Sequence, residues 1–90
     1  MTDEKIREVL DSYEEYTGGE YWSATEWRHE MAHLHQMIPQ MRVFLTDGRR
    51  EKVMRWLGFM QGAFWAIGVF TIEDLMAHNK PEDEEFDESK

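Results

Sequence analysis

The sequence contains no cysteine, which excludes disulfide bonds, thiolate metal ligands and a cysteine nucleophile. An apolar leader is also missing, because the first ten residues include five charged side chains. Both absences are typical of a protein that works in a reducing cytoplasm, and this is the location we expect. The 90 residues suffice for one domain. We predict a single helical domain over residues 1–80 and an acidic, disordered tail over residues 81–90.

Long hydrophobic runs are scarce as well. The most apolar stretch covers residues 53–70, and its charge-free part, residues 56–70, is fifteen residues long. A helix that crosses a bilayer needs about 20 apolar residues. The stretch therefore predicts a core helix of a soluble protein, and we expect no membrane partner.

The apolar side chains of residues 53–70 are spread around the helical wheel and do not form a single stripe. Such a helix requires cover on all sides, and a 90-residue chain has little surface with which to supply it. Gly58 and Gly62 lie about one turn apart, a spacing that allows two backbones to approach closely. We therefore predict a homo-oligomer. The alternative is a monomer whose core helix contains glycines without such a role.

The net charge of −9 is unevenly distributed. Residues 81–90 hold six acidic side chains and one lysine, a net charge of −5, which leaves −4 for residues 1–80. Binding of long nucleic acids is disfavoured, because it depends on summed positive charge. A small phosphate ligand remains compatible, since distant acids are screened over about 8 Å in physiological salt and residues 42–55 carry a local excess of +3.

Residues 2–16 are predicted to form a first helix, because their apolar side chains recur at spacings of three and four and acids occupy the first turn. The glycines that follow, Gly18 and Gly19, are expected to end it. Ser23 and Glu26 match the S-x-x-E capping box. Ser23 is therefore predicted to cap a second helix that runs to about residue 46.

Pro39 lies inside this second helix. Proline removes one backbone hydrogen bond and clashes with the preceding turn, so we expect a kink or, alternatively, two helices with a break. The short link at Asp47 and Gly48 makes the second and third helices antiparallel neighbours. Thr71 and Asp74 predict the cap of a short fourth helix. The expected fold class is all-α: a short N-terminal helix, two long antiparallel helices, the first kinked at Pro39, and a short C-terminal helix.

His29, Glu30 and His33 satisfy the H-E-x-x-H pattern, in which two imidazoles on one helical face hold zinc and the glutamate activates water. A zinc hydrolase would need a third ligand such as Glu51 or Glu73. The pattern is short, and the glycine and third histidine of the metzincin spacing do not follow. The ordinary interpretation is a solvated or interface face, so we predict no metal, no cofactor and no catalytic residue.

Aromatic side chains cluster around the first connector and directly precede Arg28. A nucleotide needs an aromatic face for its base and a guanidinium for its phosphate. The alternative is that these rings form ordinary packing or a plain interface. The cluster consists of Tyr13, Tyr16, Tyr21, Trp22 and Trp27.

Four basic side chains lie at the start of the third predicted helix. Positive charge at a helix N-terminus is unfavourable with respect to the helix dipole. A bound anion or an acidic partner is therefore a candidate, beside the ordinary interpretation of a solvated helix start. The set consists of Arg49, Arg50, Lys52 and Arg55.

Four runs carry a family resemblance: GRREK at residues 48–52, RWLGF-x-QG-x-x-W at residues 55–65, TI-x-x-L at residues 71–75 and HN-x-P at residues 78–81. With these runs the chain resembles the phage anti-CBASS sponges. Those small phage proteins sequester the cyclic oligonucleotide messengers of a bacterial defence system without cleaving them. The resemblance covers roughly residues 25–81, and the RWLGF-x-QG run is its most specific part.

The resemblance implies a helical protomer that assembles as a homohexamer of two trimers in the host bacterial cytoplasm. It also implies cyclic dinucleotide sites, of the cyclic GMP-AMP type, that are shared between protomers. There Tyr13 stacks on a base and Arg28, where the family can have lysine, meets a phosphate, with Tyr16 and Trp27 beside them. A separate site for cyclic trinucleotides such as cyclic tri-AMP would use Arg55, Thr71 and Arg49.

The resemblance therefore implies a phage protein without enzymatic activity. It would bind and sequester cyclic di- and trinucleotides and so block effector activation in CBASS-type immunity. A cyclic dinucleotide has near two-fold symmetry, which a two-fold protein interface can match. The alternative, suggested by the net charge of −9, is an acidic phage inhibitor that acts by protein–protein contact as a nucleic-acid mimic.

Overall fold

The computed structural model describes residues 1–80. Four helices follow one another, and a 3₁₀ turn links the first two: α1 (Asp3–Thr17), the 3₁₀ turn (Glu20–Ala24), α2 (Arg28–Thr46), α3 (Arg50–Ile67) and α4 (Ile72–Asn79). No strand occurs within residues 1–80, so the all-α prediction is confirmed there. The predicted disordered tail, residues 81–90, lies outside the described residues.

Helix α2 is central and packs against both α1 and α3. The end of α1 lies beside the middle of α2, because Thr17 contacts His35. The start of α1 lies beside the residues that follow α2, because Asp3 forms an ion pair with Arg50. Helix α1 therefore runs antiparallel to α2. Arg42 of α2 adds ion pairs of 2.8 and 2.6 Å to carboxylates of α1.

Helix α3 returns along α2, as the short link between them predicted. Phe44 and Trp56 meet close to the link, with ring centroids 5.0 Å apart. At the far end, His29 of α2 and Ile67 of α3 line one cavity. The two long helices are therefore antiparallel neighbours.

One hydrophobic core is shared by α1, the 3₁₀ turn, α2 and α3, whereas α4 contributes no buried side chain. The buried residues recur at helical spacing on one face of each long helix, which is why these three helices pack together. None of the helices within residues 1–80 has the length and apolarity that a bilayer crossing requires. The core consists of Ile6, Val9, Leu10, Tyr13, Trp22, Met31, Leu34, Ile38, Met41, Leu45, Val53, Leu57, Met60 and Phe64.

The predicted start of the second helix is wrong. Ser23 lies in the 3₁₀ turn, where its hydroxyl donates to the Glu20 carbonyl at 2.7 Å and does not cap a helix. The turn is stabilised by the burial of Trp22, whose indole N–H donates to the Tyr16 carbonyl at 3.0 Å. Packing of this side chain outweighs the local capping signal, and α2 begins only at Arg28.

Other local predictions are confirmed. Helix α1 spans Asp3–Thr17, one residue from the predicted bounds. Thr71 caps α4, because its hydroxyl accepts from the Asp74 N–H at 3.0 Å and the Asp74 carboxylate accepts from the Thr71 N–H at 3.1 Å. Helix α2 continues through Pro39, so the alternative of two helices with a break is wrong. The kink at Pro39 stays a prediction.

One side of α3 is left uncovered by the rest of residues 1–80. Phe59 and Trp65 are 59% and 54% exposed. Gly58 and Gly62 face open space, since a Cβ at either position would meet no atom within 4 Å. A glycine inside a helix costs about 1 kcal/mol relative to alanine, and no contact within residues 1–80 explains why two of them stand here.

Candidate functional site

A cleft of about 420 Å³ opens where the end of α1 and the 3₁₀ turn meet the first half of α2. Its volume falls within the range of about 300–1,000 Å³ that is usual for small-molecule sites. Its lining combines an aromatic ring with an arginine and two histidines. The lining includes Thr17, Gly18, Trp22, Arg28, His29 and His35.

The floor of the cleft is fixed by a polar contact between α1 and α2. The hydroxyl of buried Thr17 donates to the Tyr13 carbonyl at 2.8 Å. Because this hydroxyl has only one proton, its oxygen must accept from His35 Nδ1, which lies 3.1 Å away. In this tautomer the hydrogen of His35 is on Nδ1, and Nε2 has the acceptor role.

Gly18 allows α1 and α2 to come this close. Its φ of −88° is open to any residue, but a Cβ here would lie 2.8 Å from His35 Cε1 and 3.1 Å from the Glu14 carbonyl oxygen. The glycine was predicted to end the first helix, and it does follow the last residue of α1. Its main requirement, however, is space for the histidine.

We expect Gly18→Ala to destabilise the fold by about 1–3 kcal/mol, the usual cost of overpacking. The added methyl group must displace His35 and so break its contact with Thr17. Gly19→Ala is the matched control, because a Cβ there would meet its nearest neighbour, the Tyr16 carbonyl oxygen, at an ordinary 3.6 Å. Urea unfolding of both variants tests this; equal stability would contradict the close-approach role of Gly18.

The N-terminus of α2 opens beside the cleft without a side-chain cap. Trp27 occupies the N-cap position and offers no side-chain acceptor, and the first backbone bond is donated by the Met31 N–H to the Trp27 carbonyl at 2.9 Å. The three N–H groups before Met31 therefore have no partner inside α2. Such a helix end favours an anion through its dipole and its free donors.

Arg28 is the first residue of α2, and its side chain is exposed at the cleft. Within residues 1–80 it forms no ion pair. Glu30, which lies close in sequence, lines a different cavity between α2 and α3. The cleft therefore presents a guanidinium and a helix N-terminus together, an arrangement that can bind a phosphate bidentately.

The aromatic residues predicted to stack on a base are distributed differently. Tyr13 is only 2% exposed and packs against Phe64 and His78, with ring centroids 4.9 and 5.5 Å away. Tyr16 and Trp27 are half-buried and belong to the core margin. The structure therefore does not bring Tyr13 and Arg28 into one cleft, since Tyr13 lines a second cleft, of about 300 Å³, between α1 and α4.

Tyr13 is the centre of a polar network that joins α1, α3 and α4. Its hydroxyl oxygen lies 3.1 Å from Gln61 Nε2 and 2.5 Å from His78 Nδ1. Gln61 and Asn79 exchange two amide hydrogen bonds, of 2.8 and 3.0 Å. No buried side-chain polar atom in residues 1–80 lacks a partner, so the network is fully satisfied.

Two side chains of this network, Tyr13 and His78, have shifted pKa values. Burial lowers the pKa of His78 below its usual value; the Asp74 carboxylate opposes this shift and the Lys5 ammonium adds to it. Burial raises the pKa of Tyr13, and the hydrogen bond from Gln61 opposes that shift in part. Both directions favour the neutral side chains, which is what a buried Tyr–His hydrogen bond requires.

The residues predicted for a trinucleotide site lie at the start of α3 and at the cap of α4. Arg49 stacks on the Phe44 ring at 5.1 Å, and the Thr71 hydroxyl already serves as the α4 cap. Arg55 is exposed on α3. Arg55 lies twelve residues before the end of α3, about 18 Å of helix, and Thr71 follows that end.

His29, Glu30 and His33 line an apolar groove of about 390 Å³ between α2 and α3, together with Phe59 and Ala63. Neither Glu51 nor Glu73 lines this groove. No group of three or more histidine, aspartate and glutamate side chains in the described part of the chain is placed to hold a metal ion. The H-E-x-x-H pattern therefore has no third ligand there.

Sequence reasoning missed the structural roles of His35, Gln61 and His78. His35 fixes the floor of the first cleft, and the other two hold α4. One signal was present in the sequence, because Gln61 is the only strongly polar side chain in residues 56–70. Long-range partners separated by 48 and 65 residues cannot be read from such a signal.

The comparisons with known proteins leave the family of the chain open: no protein-family model, no curated protein and no solved structure matches it.

Proposed function

We propose that this chain is a phage counter-defence protein that binds cyclic di- and trinucleotide messengers and sequesters them without cleavage. The observation that carries the proposal is the cleft at the start of α2, where Arg28 and an uncapped helix N-terminus meet in a volume of about 420 Å³. The family resemblance of residues 25–81 supplies the ligand class.

The phosphate is the part of the ligand that this cleft suits best. Arg28 offers a planar pair of donors, and the free N–H groups of the first turn of α2 add to them. His35 and Trp22 supply a hydrogen-bonding ring and an aromatic surface in the same cleft. A phosphodiester held in this way is bound by charge and geometry, with no group assigned to attack it.

The proposal also includes self-association of the chain through α3. The uncovered side of α3 combines large apolar side chains, Phe59 and Trp65, with open glycines at positions 58 and 62. The bulky side chains of one copy can pack against the exposed glycines of another copy. In a two-fold symmetric dimer, each copy would make this contact with the other. We propose a homo-oligomer, with the hexamer of the resembling family as its expected form.

The other residues predicted to contact a ligand are proposed to do so in the assembled protein. Tyr13, Tyr16 and Trp27 are proposed to stack on the bases of a dinucleotide. Arg55, Thr71 and Arg49 are proposed to contact a trinucleotide, with different copies of the chain contributing them. An assembled protein keeps water from such shared sites and strengthens their charge-assisted hydrogen bonds.

A thermal-shift screen with cyclic di- and trinucleotides tests the proposed function. A ligand at a hundredfold excess over its Kd stabilises the folded state by about 2.7 kcal/mol, which corresponds to a Tm increase of roughly 10 °C or more for a domain of this size. Linear dinucleotides of the same bases and inorganic phosphate are the controls. Equal shifts with the controls, or no shift with any cyclic nucleotide, would reject the proposal.

A further inference from the structure

Helix α4 is held to the rest of the protein by very little apolar contact. None of its residues is buried. Of its large apolar side chains, Ile72 and Met76 are 52% and 68% exposed, and Leu75 is half-buried. Its attachment instead depends on the side chains of His78 and Asn79 near its end. A helix fixed by a few polar contacts can open at low cost while the core stays folded.

The hydrogen bonds at His78 require one protonation state. Gln61 Nε2 donates to the Tyr13 hydroxyl oxygen, so the single Tyr13 proton is left for His78 Nδ1. Nδ1 can accept it only in the neutral ring. A protonated ring would carry a hydrogen on Nδ1 and leave the buried Tyr13 O–H without an acceptor.

The charged groups that face His78 act on its protonation in opposite directions. Lys5 of α1 lines the cleft beside His78, and its charge opposes protonation. Glu8 of α1 lines the same cleft and Asp74 lies one turn back on α4; both carry the opposite charge. From α3, the neutral Gln61 contacts Tyr13 and Asn79. Burial dominates this balance and keeps the pKa of His78 low.

We propose that α4 is an acid-sensitive latch over Tyr13: protonation of His78 releases α4 and uncovers the Tyr13 ring. The sign follows from linkage. The docked state binds a proton less readily than the open state, so docking is strongest above the ordinary histidine pKa of about 6.5 and weakens as the pH falls below it.

The latch itself follows from the fold, but its consequence for ligands rests on the proposed function. A base can stack on Tyr13 only after α4 and the adjoining Phe70 have moved, because Tyr13 is 2% exposed and its ring stacks on Phe70 with centroids 6.2 Å apart. A dinucleotide that uses Tyr13 would therefore bind the open form and compete with the His78 contact. Acidification would favour such binding.

Hydrogen exchange of the full chain, read by mass spectrometry at pH 7.5 and 5.5 and corrected for the chemical exchange rate, tests the latch. We expect the protection of residues 72–79 to fall on acidification by up to about tenfold per pH unit below 6.5. Protection of the core residues 38–45 should not change. Equal protection of α4 at both pH values, or a parallel loss in the core, would overturn the proposal.

Two variants at position 78 make the test specific. His78→Asn keeps an acceptor oxygen near the position of Nδ1 and cannot titrate, so α4 should stay protected at both pH values. His78→Ala should leave α4 unprotected at both. An acid-induced loss of protection in His78→Asn that equals the loss in the wild type would overturn the assignment to His78.

Adding a cyclic dinucleotide at pH 7.5 separates the latch from the proposed function. Faster exchange of α4 in the complex supports stacking on Tyr13. Unchanged exchange of α4 in a protein that binds the ligand would remove Tyr13 from the site and leave the acid response of the latch intact. Absence of binding even in His78→Ala, where Tyr13 is uncovered, would count against the proposed function alone.

Discussion

Arg28→Ala is expected to weaken cyclic dinucleotide binding by about tenfold to a hundredfold. A hydrogen bond to a charged group contributes about 1.5–3 kcal/mol, and about 1.4 kcal/mol corresponds to a factor of ten. The fold should not suffer, because Arg28 is exposed and forms no ion pair within residues 1–80. Isothermal titration with the dinucleotide measures the change.

Two further variants define what Arg28 contributes. Arg28→Lys keeps the charge but loses the planar pair of donors, so its affinity should lie between those of the wild type and the alanine variant. Arg7→Ala removes another exposed arginine, which lies in the first half of α1 and does not line the cleft. If Arg7→Ala weakens binding as much as Arg28→Ala, the effect is one of net charge and the assigned site is wrong.

The double variant Gly58→Ala/Gly62→Ala gives opposite results for an assembled and for a solitary chain. In a solitary chain both methyl groups enter open space, and each substitution should stabilise α3 by up to about 1 kcal/mol. If another copy packs on these glycines, the methyl groups overpack the contact at a cost of about 1–3 kcal/mol. We expect the second result, with self-association weakened at least about tenfold.

Sedimentation velocity and thermal unfolding of the double variant decide between the two cases. Gly19→Ala is the control, because it adds a methyl group outside α3 with only an ordinary contact. A double variant with a higher Tm and an unchanged mass would show that α3 has no close neighbour. The proposed oligomer interface would then be wrong.

Much of the fold could be predicted from local sequence. The apolar spacing of α1 and the Thr71–Asp74 pair each determine an element through neighbours within four residues, and the structure agrees with both. The predicted cap at Ser23 was wrong for the opposite reason. The capping pattern is local, but the conformation of that segment depends on the burial of the neighbouring Trp22 in the core.

The candidate site was less predictable, because its geometry depends on contacts between distant segments. Arg28 could be selected from its type and position, and it does line a cleft. Tyr13 has the residue type that a stacking site needs, but periodicity alone could not show that α4 covers it. His78 reaches Tyr13 across 65 residues, a distance over which sequence pattern carries no information on contact.

The most direct test of the account is equilibrium dialysis of the full chain against a cyclic dinucleotide, followed by heat denaturation and analysis of the released ligand. We predict that the protein retains the ligand, that binding saturates near one dinucleotide per two chains because the site is shared, and that the ligand is recovered intact. Failure to retain any cyclic nucleotide, or recovery of a linear product, would contradict the account.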